Sequence, residues 1–236
     1  MIESPAAPAL STALRVLGTI VFALALPALL VTSGVRNVAL SEGFYLSEFA
    51  KYRVGAIAGL SDPELQQVAQ AFIDYFQAPP QRMDRAVSLP QREGPLFNDR
   101  ELTHMVDVQA LMHRIFQLWT VALVALIVSA LVIVLTHIPT GAHALARAGL
   151  IGGGLAIVII GLAALASLVD FSALFTQFHF LSFSNDLWML DPRRDHLIQL
   201  FPLEFFFDAA LRIALLTVGL GGLVVAASIA ALRLIR

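Results

Sequence analysis

The 236-residue chain is 58% hydrophobic and 14% charged, whereas a soluble domain carries about 25% charged residues, so the apolar excess must face lipid. With 15 Lys and Arg against 17 Asp and Glu, and no basic stripe, nucleic acid is excluded as a partner. The absence of cysteine excludes disulfides, thiolate metal sites and a cysteine nucleophile, and leaves the redox compartment open.

Four runs have the roughly 20 apolar residues a membrane-spanning helix needs: Thr12–Thr32, Ile115–Leu135, Ala148–Val169 and Ala209–Leu232. Signal-peptide cores run about 7–15 residues. Val16–Thr32 is longer, and Asn37-Val38-Ala39 is a poor cleavage site, so the first run is read as an uncleaved helix. Arg15, Arg147, Arg233 and Arg236 flank one set of helix ends against a single acid, Glu3, while the other acids lie in 36–114 and 170–208. Lys and Arg near span ends mark the cytoplasmic side, which predicts cytoplasmic termini and two outward-facing acidic segments. Arg212, near an outer end, is a mild contrary signal. The expected fold is an all-α transmembrane bundle of four helices with a small mixed extracytoplasmic cap. Its parts are residues 1–35 (terminus and first span), 36–114 (cap), 115–170 (second and third spans), 171–208 (an aromatic loop) and 209–236 (fourth span). Gly152-Gly153-Gly154 in the third span, and Gly219, Gly221 and Gly222 in the fourth, read as close helix packing in lipid.

Within the cap, Ser61 and Glu64 have the spacing of a capping box. Leu65, Val68, Ala69, Phe72, Ile73 and Phe76 then recur at helical spacing until Pro79-Pro80. Residues 84–97 alternate loosely and predict a strand or hairpin. Asn98 is an N-cap with Glu101 in position to reach back. No Pro or Gly follows until Pro139, which predicts one long helix from Asp99 into the membrane. On it, Glu101, His104 and Asp107 share a face at spacings of three. A carboxylate that accepts one ring N–H fixes the tautomer and raises basicity at the other nitrogen, so this triplet reads either as an oriented general base or as a solvated face paired to Arg100 or Arg114. His113 points to the opposite face of this helix.

The segment 171–208 holds nine Phe and one Trp between Phe171 and Phe207. An interfacial aromatic belt accounts for Phe205–Phe207. It accounts less well for polar His179, Asn185 and Asp186 among Phe178, Phe183 and Trp188, because buried polar groups need partners. Asp191-Pro192 reads as a turn or helix start, and His196 beside Asp195 as solvated. His137 and His143 fall on the cytoplasmic side. Three chemistries suit paired outer histidines: direct acyl transfer by proton relay, a metal-dependent membrane hydrolase with His104, His179 and carboxylates as ligands, or a non-enzymatic membrane accessory protein. No Gly-x-Ser-x-Gly elbow is present.

Leu96-Phe97 with Glu101-Leu102-Thr103-His104-Met105-Val106-Asp107-Val108 is similar to one signature of the bacterial lipoprotein intramolecular transacylase family. Phe178-His179 through Trp188, with Asp191-Pro192, Asp195, Leu197-Ile198, Phe201-Pro202 and Phe205-Phe206, resembles the other. The resemblance implies an acyltransferase of the bacterial cytoplasmic membrane with an extracytoplasmic active site, which uses no cofactor and no metal. It implies transfer of the sn-2 acyl chain of a diacylglyceryl-cysteine lipoprotein to the α-amine of the same cysteine. Its partners would be the lipid-modified lipoprotein and membrane lipids. Its catalytic pair would be His104 and His179, with Glu101, Asp107, Phe178, Phe183, Asn185, Asp186, Trp188 and Asp191 as binding or supporting residues. Glu101 and Asp107, flanking His104, make His104 the expected base.

Overall fold

The computed structural model describes residues 6–83, 89, 94–136 and 138–235. Among these residues every regular element is a helix: α1 (Ala6–Ala39), α2 (Glu42–Lys51), α3 (Val54–Ala58), α4 (Asp62–Gln77), α5 (Asp99–Thr136), α6 (Ile138–Ser182), α7 (His196–Leu200) and α8 (Leu203–Leu234). Four of them, α1, α5, α6 and α8, are long and apolar enough to cross a membrane. At most a third of each most apolar stretch is covered by protein, so their Leu, Ile and Val side chains are left for lipid. The chain divides into two compact units.

The first unit holds the described residues of 1–34, 116–164 and 213–236. Its helices meet where side chains vanish. Pro27 lies inside α1 and cannot donate to the carbonyl of Ala23 four residues earlier. Gly152 of α6 sits against that carbonyl; a Cβ there would lie 3.0 Å from Ala23 O. Gly153 approaches α8 as closely, its Cβ position 3.0 Å from Gly221 O. Close backbone approach through glycine is how helices associate where the hydrophobic effect is absent. Leu26, Leu30 and Ala156 are buried here, with Phe22, Leu126 and Val224 packed on them.

The second unit holds the described residues of 35–115 and 165–212. Its cap is helical, not mixed. Most of the expected strand or hairpin at 84–97 lies outside the described residues, and those described carry no strand. The α4 helix starts as its sequence predicts: Ser61 N and Oγ both donate to Glu64 Oε2, at 2.8 and 2.6 Å. Its predicted apolar face is buried throughout. Gln109, 1% exposed, fastens the end of α4 to α5. Its amide donates to Tyr75 O at 2.7 Å, and its oxygen accepts from Gln81 N at 3.0 Å.

The α6 helix differs from expectation. It continues twelve residues beyond Asp170, to Ser182, where a loop was predicted. Asp170 leaves helical geometry (φ −158°, ψ 91°), and its Oδ1 accepts from Ala173 N at 2.9 Å. It therefore acts as an N-cap for a new helical stretch. His179 is thus carried on a helix rather than on a loop.

Candidate active site

The site is assembled within the second unit. Asn98 and Glu101 start α5 with reciprocal bonds: Asn98 N donates to Glu101 Oε2 at 2.8 Å, and Glu101 N donates to Asn98 Oδ1 at 3.1 Å. One turn later His104 is buried, 6% exposed. From the far end of α6, His179 is also buried, 8% exposed. The two imidazole centroids lie 6.4 Å apart, their planes inclined by 33°. Residues 75 positions apart in sequence therefore share one chamber.

Aromatic rings build its walls. The His179 ring lies 4.3 Å from Phe175, 4.8 Å from Trp188, 5.3 Å from Phe178 and 5.7 Å from Phe183. Phe183 also packs edge-on to His104 at 5.1 Å. Phe178 is 45% exposed and Leu181 87% exposed, so this end of α6 also presents an apolar outer face.

Hydrogen bonds set the protons. His179 Nδ1 lies 2.7 Å from Phe175 O. A carbonyl only accepts, so Nδ1 carries the hydrogen and Nε2 of a neutral ring keeps its lone pair. His104 Nδ1 is buried without a hydrogen-bond partner among the described residues. So is Nε of Arg100, four residues earlier on the same face of α5. The Arg100 guanidinium is near enough to act electrostatically on the His104 ring. It is anchored by donating to Asp186 O and lies 3.8 Å from Asp186 Oδ1.

The carboxylates predicted to orient His104 bond elsewhere. Glu101, 0% exposed, accepts from Asn98 N, and its Oε1 accepts from Leu197 N at 2.6 Å. Asp107 accepts from Asn185 Nδ2 at 2.9 Å. Both oxygens of Glu101 are thus engaged by backbone at the starts of α5 and α7. Asn185 in turn organises its turn, Oδ1 accepting from Leu187 N and its carbonyl accepting from Trp188 Nε1 at 3.0 Å. That last bond holds the indole against His179. Asp191 pairs with Arg193 at 3.0 Å; the Arg193 bond holds its carboxyl below the usual carboxylate range. His137 lies outside the described residues.

Two members of this frame carry roles that the sequence did not assign them. Asp195 is 1% exposed; it accepts from Asp191 N at 2.6 Å and from Asn98 Nδ2 at 2.8 Å, and nothing in its local pattern signals that burial. Arg100 was read only as an ion-pair partner. Among the described residues, no three His, Asp or Glu side chains converge as metal ligands would.

The fold and the site together define a polytopic helical membrane protein with two imidazoles in an aromatic chamber, a set suited to proton transfer away from bulk water. The model of the family "Lipoprotein intramolecular transacylase Lit" matches residues 20–206, more than half of the chain. The chain belongs to that family and is an acyltransferase. It is similar in fold to the membrane-integral lipoprotein intramolecular transacylase Lit of Bacillus cereus, solved in meso, with a TM-score of 0.79 and 23% identity over 93% of this chain and 96% of that one. Two structures of the same protein, with a histidine replaced by arginine or by alanine, match with TM-scores of 0.73 at 21% identity over 93% of this chain and 92% or 94% of theirs. No curated protein sequence matches it significantly.

Proposed function

We propose that this protein moves the sn-2 acyl chain of a diacylglyceryl-cysteine lipoprotein to the α-amine of the same cysteine, with His104 and His179 as its catalytic residues. The carrying observation is the pair of buried rings 6.4 Å apart, one of them tautomer-locked.

The amine nitrogen forms a bond to the sn-2 carbonyl carbon, and the carbon–oxygen bond to the glyceryl group breaks. One proton must travel from nitrogen to that leaving oxygen. Nε2 of His179 is the acceptor suited to take it, because Phe175 O holds the hydrogen on Nδ1; the imidazolium then returns it to the glyceryl oxygen. A free α-amine has a pKa of about 7.7–8.0, within reach of a neutral imidazole. The base role therefore moves from His104, where flanking carboxylates suggested it, to His179, whose ring is the one held by a hydrogen bond. His104, with no bonded carboxylate to favour a second proton, serves as a neutral donor. Together with Arg100 Nε it supplies N–H groups to the oxyanion of the tetrahedral intermediate, the kind of preorganised donor that stabilises acyl-transfer transition states. Donor and acceptor belong to one molecule, so holding its attack geometry contributes an effective molarity on the order of 10⁵ M or more. The aromatic wall limits water, and with it hydrolysis.

The orientation expected from the arginines at the span ends would put the two histidines on the extracytoplasmic side of the bacterial cytoplasmic membrane and both termini in the cytoplasm, with residues 36–114 and 171–208 outside and 1–35, 115–170 and 209–236 carrying the spans. The test is mass spectrometry of the N-terminal peptide of a model diacyl lipoprotein incubated with purified enzyme. His104→Ala and His179→Ala should each lower conversion to the N-acyl, lyso-glyceryl product by roughly 10²–10⁴-fold with normal membrane insertion. Retention of wild-type rates by either variant overturns the assignment, and loss of activity in EDTA restored by zinc would favour a metal-dependent reaction.

A further inference from the structure

A groove of about 400 Å³ adjoins the chamber on the membrane-entering side of His104. One wall is the α5 face at Asp107, Ala110, Leu111 and Arg114; the other is the end of α6 and the turn beyond it, including Phe183 and Ser184. Phe183 lines this groove and also touches both imidazoles, at 5.1 Å from His104 and 5.7 Å from His179. It is the partition between chamber and groove.

We infer that this groove seats the first peptide residues after the acylated cysteine of the lipoprotein, an inference that rests on the transacylase reading above. The Cα of that cysteine bears three groups: the attacking amine, the side chain with its glyceryl diester, and the peptide carbonyl. The peptide therefore leaves within one residue, a Cα step of about 3.8 Å, of the nitrogen His179 must reach. A polar chain needs a polar path that starts beside the rings.

The lining meets that need. Arg114 is exposed, and neither its side chain nor that of Ser184 has a hydrogen bond or ion pair among the described residues. Both are free to bind peptide groups. The α6 helix ends at Ser182; the His179 carbonyl accepts from Phe183 N at 2.9 Å, and the carbonyls of Phe180, Leu181 and Ser182 beyond it lack helical N–H partners and are available to peptide N–H donors. An acyl chain laid here would strip water from Asp107 and Arg114 without replacing it; the exposed ring of Phe178, which is not part of the groove lining, suits acyl chains better. A second cavity, about 510 Å³, is lined by Phe49, Arg53 and Asp62 of the α2–α4 region and by neither histidine.

The experiment compares two substrates for each enzyme: diacylglyceryl-cysteine amide, and the same lipid on a cysteine followed by several further residues. Ala110 is exposed on the groove wall, so Ala110→Trp narrows it without disturbing a core. The kcat/KM of the long substrate divided by that of the short one should fall about tenfold in Ala110→Trp, the scale of one good contact, and by a smaller factor in Arg114→Ala. An unchanged ratio in both variants overturns the inference. A groove that holds lipid instead would slow both substrates alike and give that unchanged ratio. If Ala110→Trp fails to fold, Arg114→Ala alone decides. If wild-type enzyme converts neither substrate, the transacylase reading itself fails, an outcome distinct from a fixed ratio.

Discussion

Replacing Glu101 by Gln separates two roles that the sequence leaves merged. If Glu101 orients His104, the exchange damages catalysis; if it caps two helices, the exchange damages stability. In the structure its oxygens accept from Asn98 N at 2.8 Å and Leu197 N at 2.6 Å in a wholly buried position. Hydrogen bonds to a charged group contribute about 1.5–3 kcal/mol each, and ordinary ones about 1 kcal/mol. Gln keeps one acceptor oxygen and turns an amide N–H₂ toward the other backbone N–H, and a buried donor left unsatisfied costs about 1–3 kcal/mol. The expected loss is roughly 2–4 kcal/mol, or a fall in Tm of roughly 4–16 °C at about 2–4 °C per kcal/mol for a chain of this size. Thermal unfolding in detergent, followed by tryptophan fluorescence, measures the first quantity. Product formation per folded enzyme at low temperature measures the second and should stay within about tenfold of wild type. A Tm within about 2 °C of wild type, combined with a rate loss of about 100-fold or more, would refute the capping argument and return Glu101 to His104.

Arg100→Lys keeps a positive charge able to reach the carbonyl of Asp186 but lacks the buried Nε–H; kcat should fall by about 10²–10³-fold with KM little changed, and a rate near wild type would mean that Arg100 only anchors the turn. Trp188→Ala removes the ring 4.8 Å from His179 and should raise free fatty acid relative to N-acylated product in mass spectra; an unchanged partition would show that the indole does not keep water out. Glu48 is buried beside Asp208, with Lys51 and Tyr52 also bonded to Asp208; burial first, then Asp208, pushes the Glu48 pKa up. The folded state therefore favours protonated Glu48, and that contribution is present below the ordinary carboxylate pKa of about 4.3 and lost as pH rises through the raised value. Glu48→Gln should thus match wild type in acid and exceed its Tm at neutral pH; a lower neutral Tm would contradict this.

The spans were legible because lipid demands unbroken apolar runs, and the start of α5 because Asn98 and Glu101 form a local cap whose bonds join residues three apart. The start of α4 was legible for the same reason. Spacing also put Glu101, His104 and Asp107 on one face. It could not say which neighbour each carboxylate would meet, because Leu197 and Asn185 arrive from distant sequence. Asp170 misled for a physical reason: an acid after an apolar run looks like a span ending, yet the same side chain can cap a helix restarting at once. Charge asymmetry predicts His104 and His179 on one side of the membrane, and the family resemblance implies them as a catalytic pair, but nothing local encodes a contact across 75 residues.

The break at Asp170 has a bearing on how such a chain can change. In an uninterrupted helix, each inserted or deleted residue swings everything downstream by about 100° around the axis. His179 takes its azimuth from a cap nine residues before it, not from the long apolar stretch that precedes the cap. Length variation upstream of Asp170 can then be absorbed at the interruption, so the lipid-embedded part of α6 is free to drift while the imidazole keeps its aim.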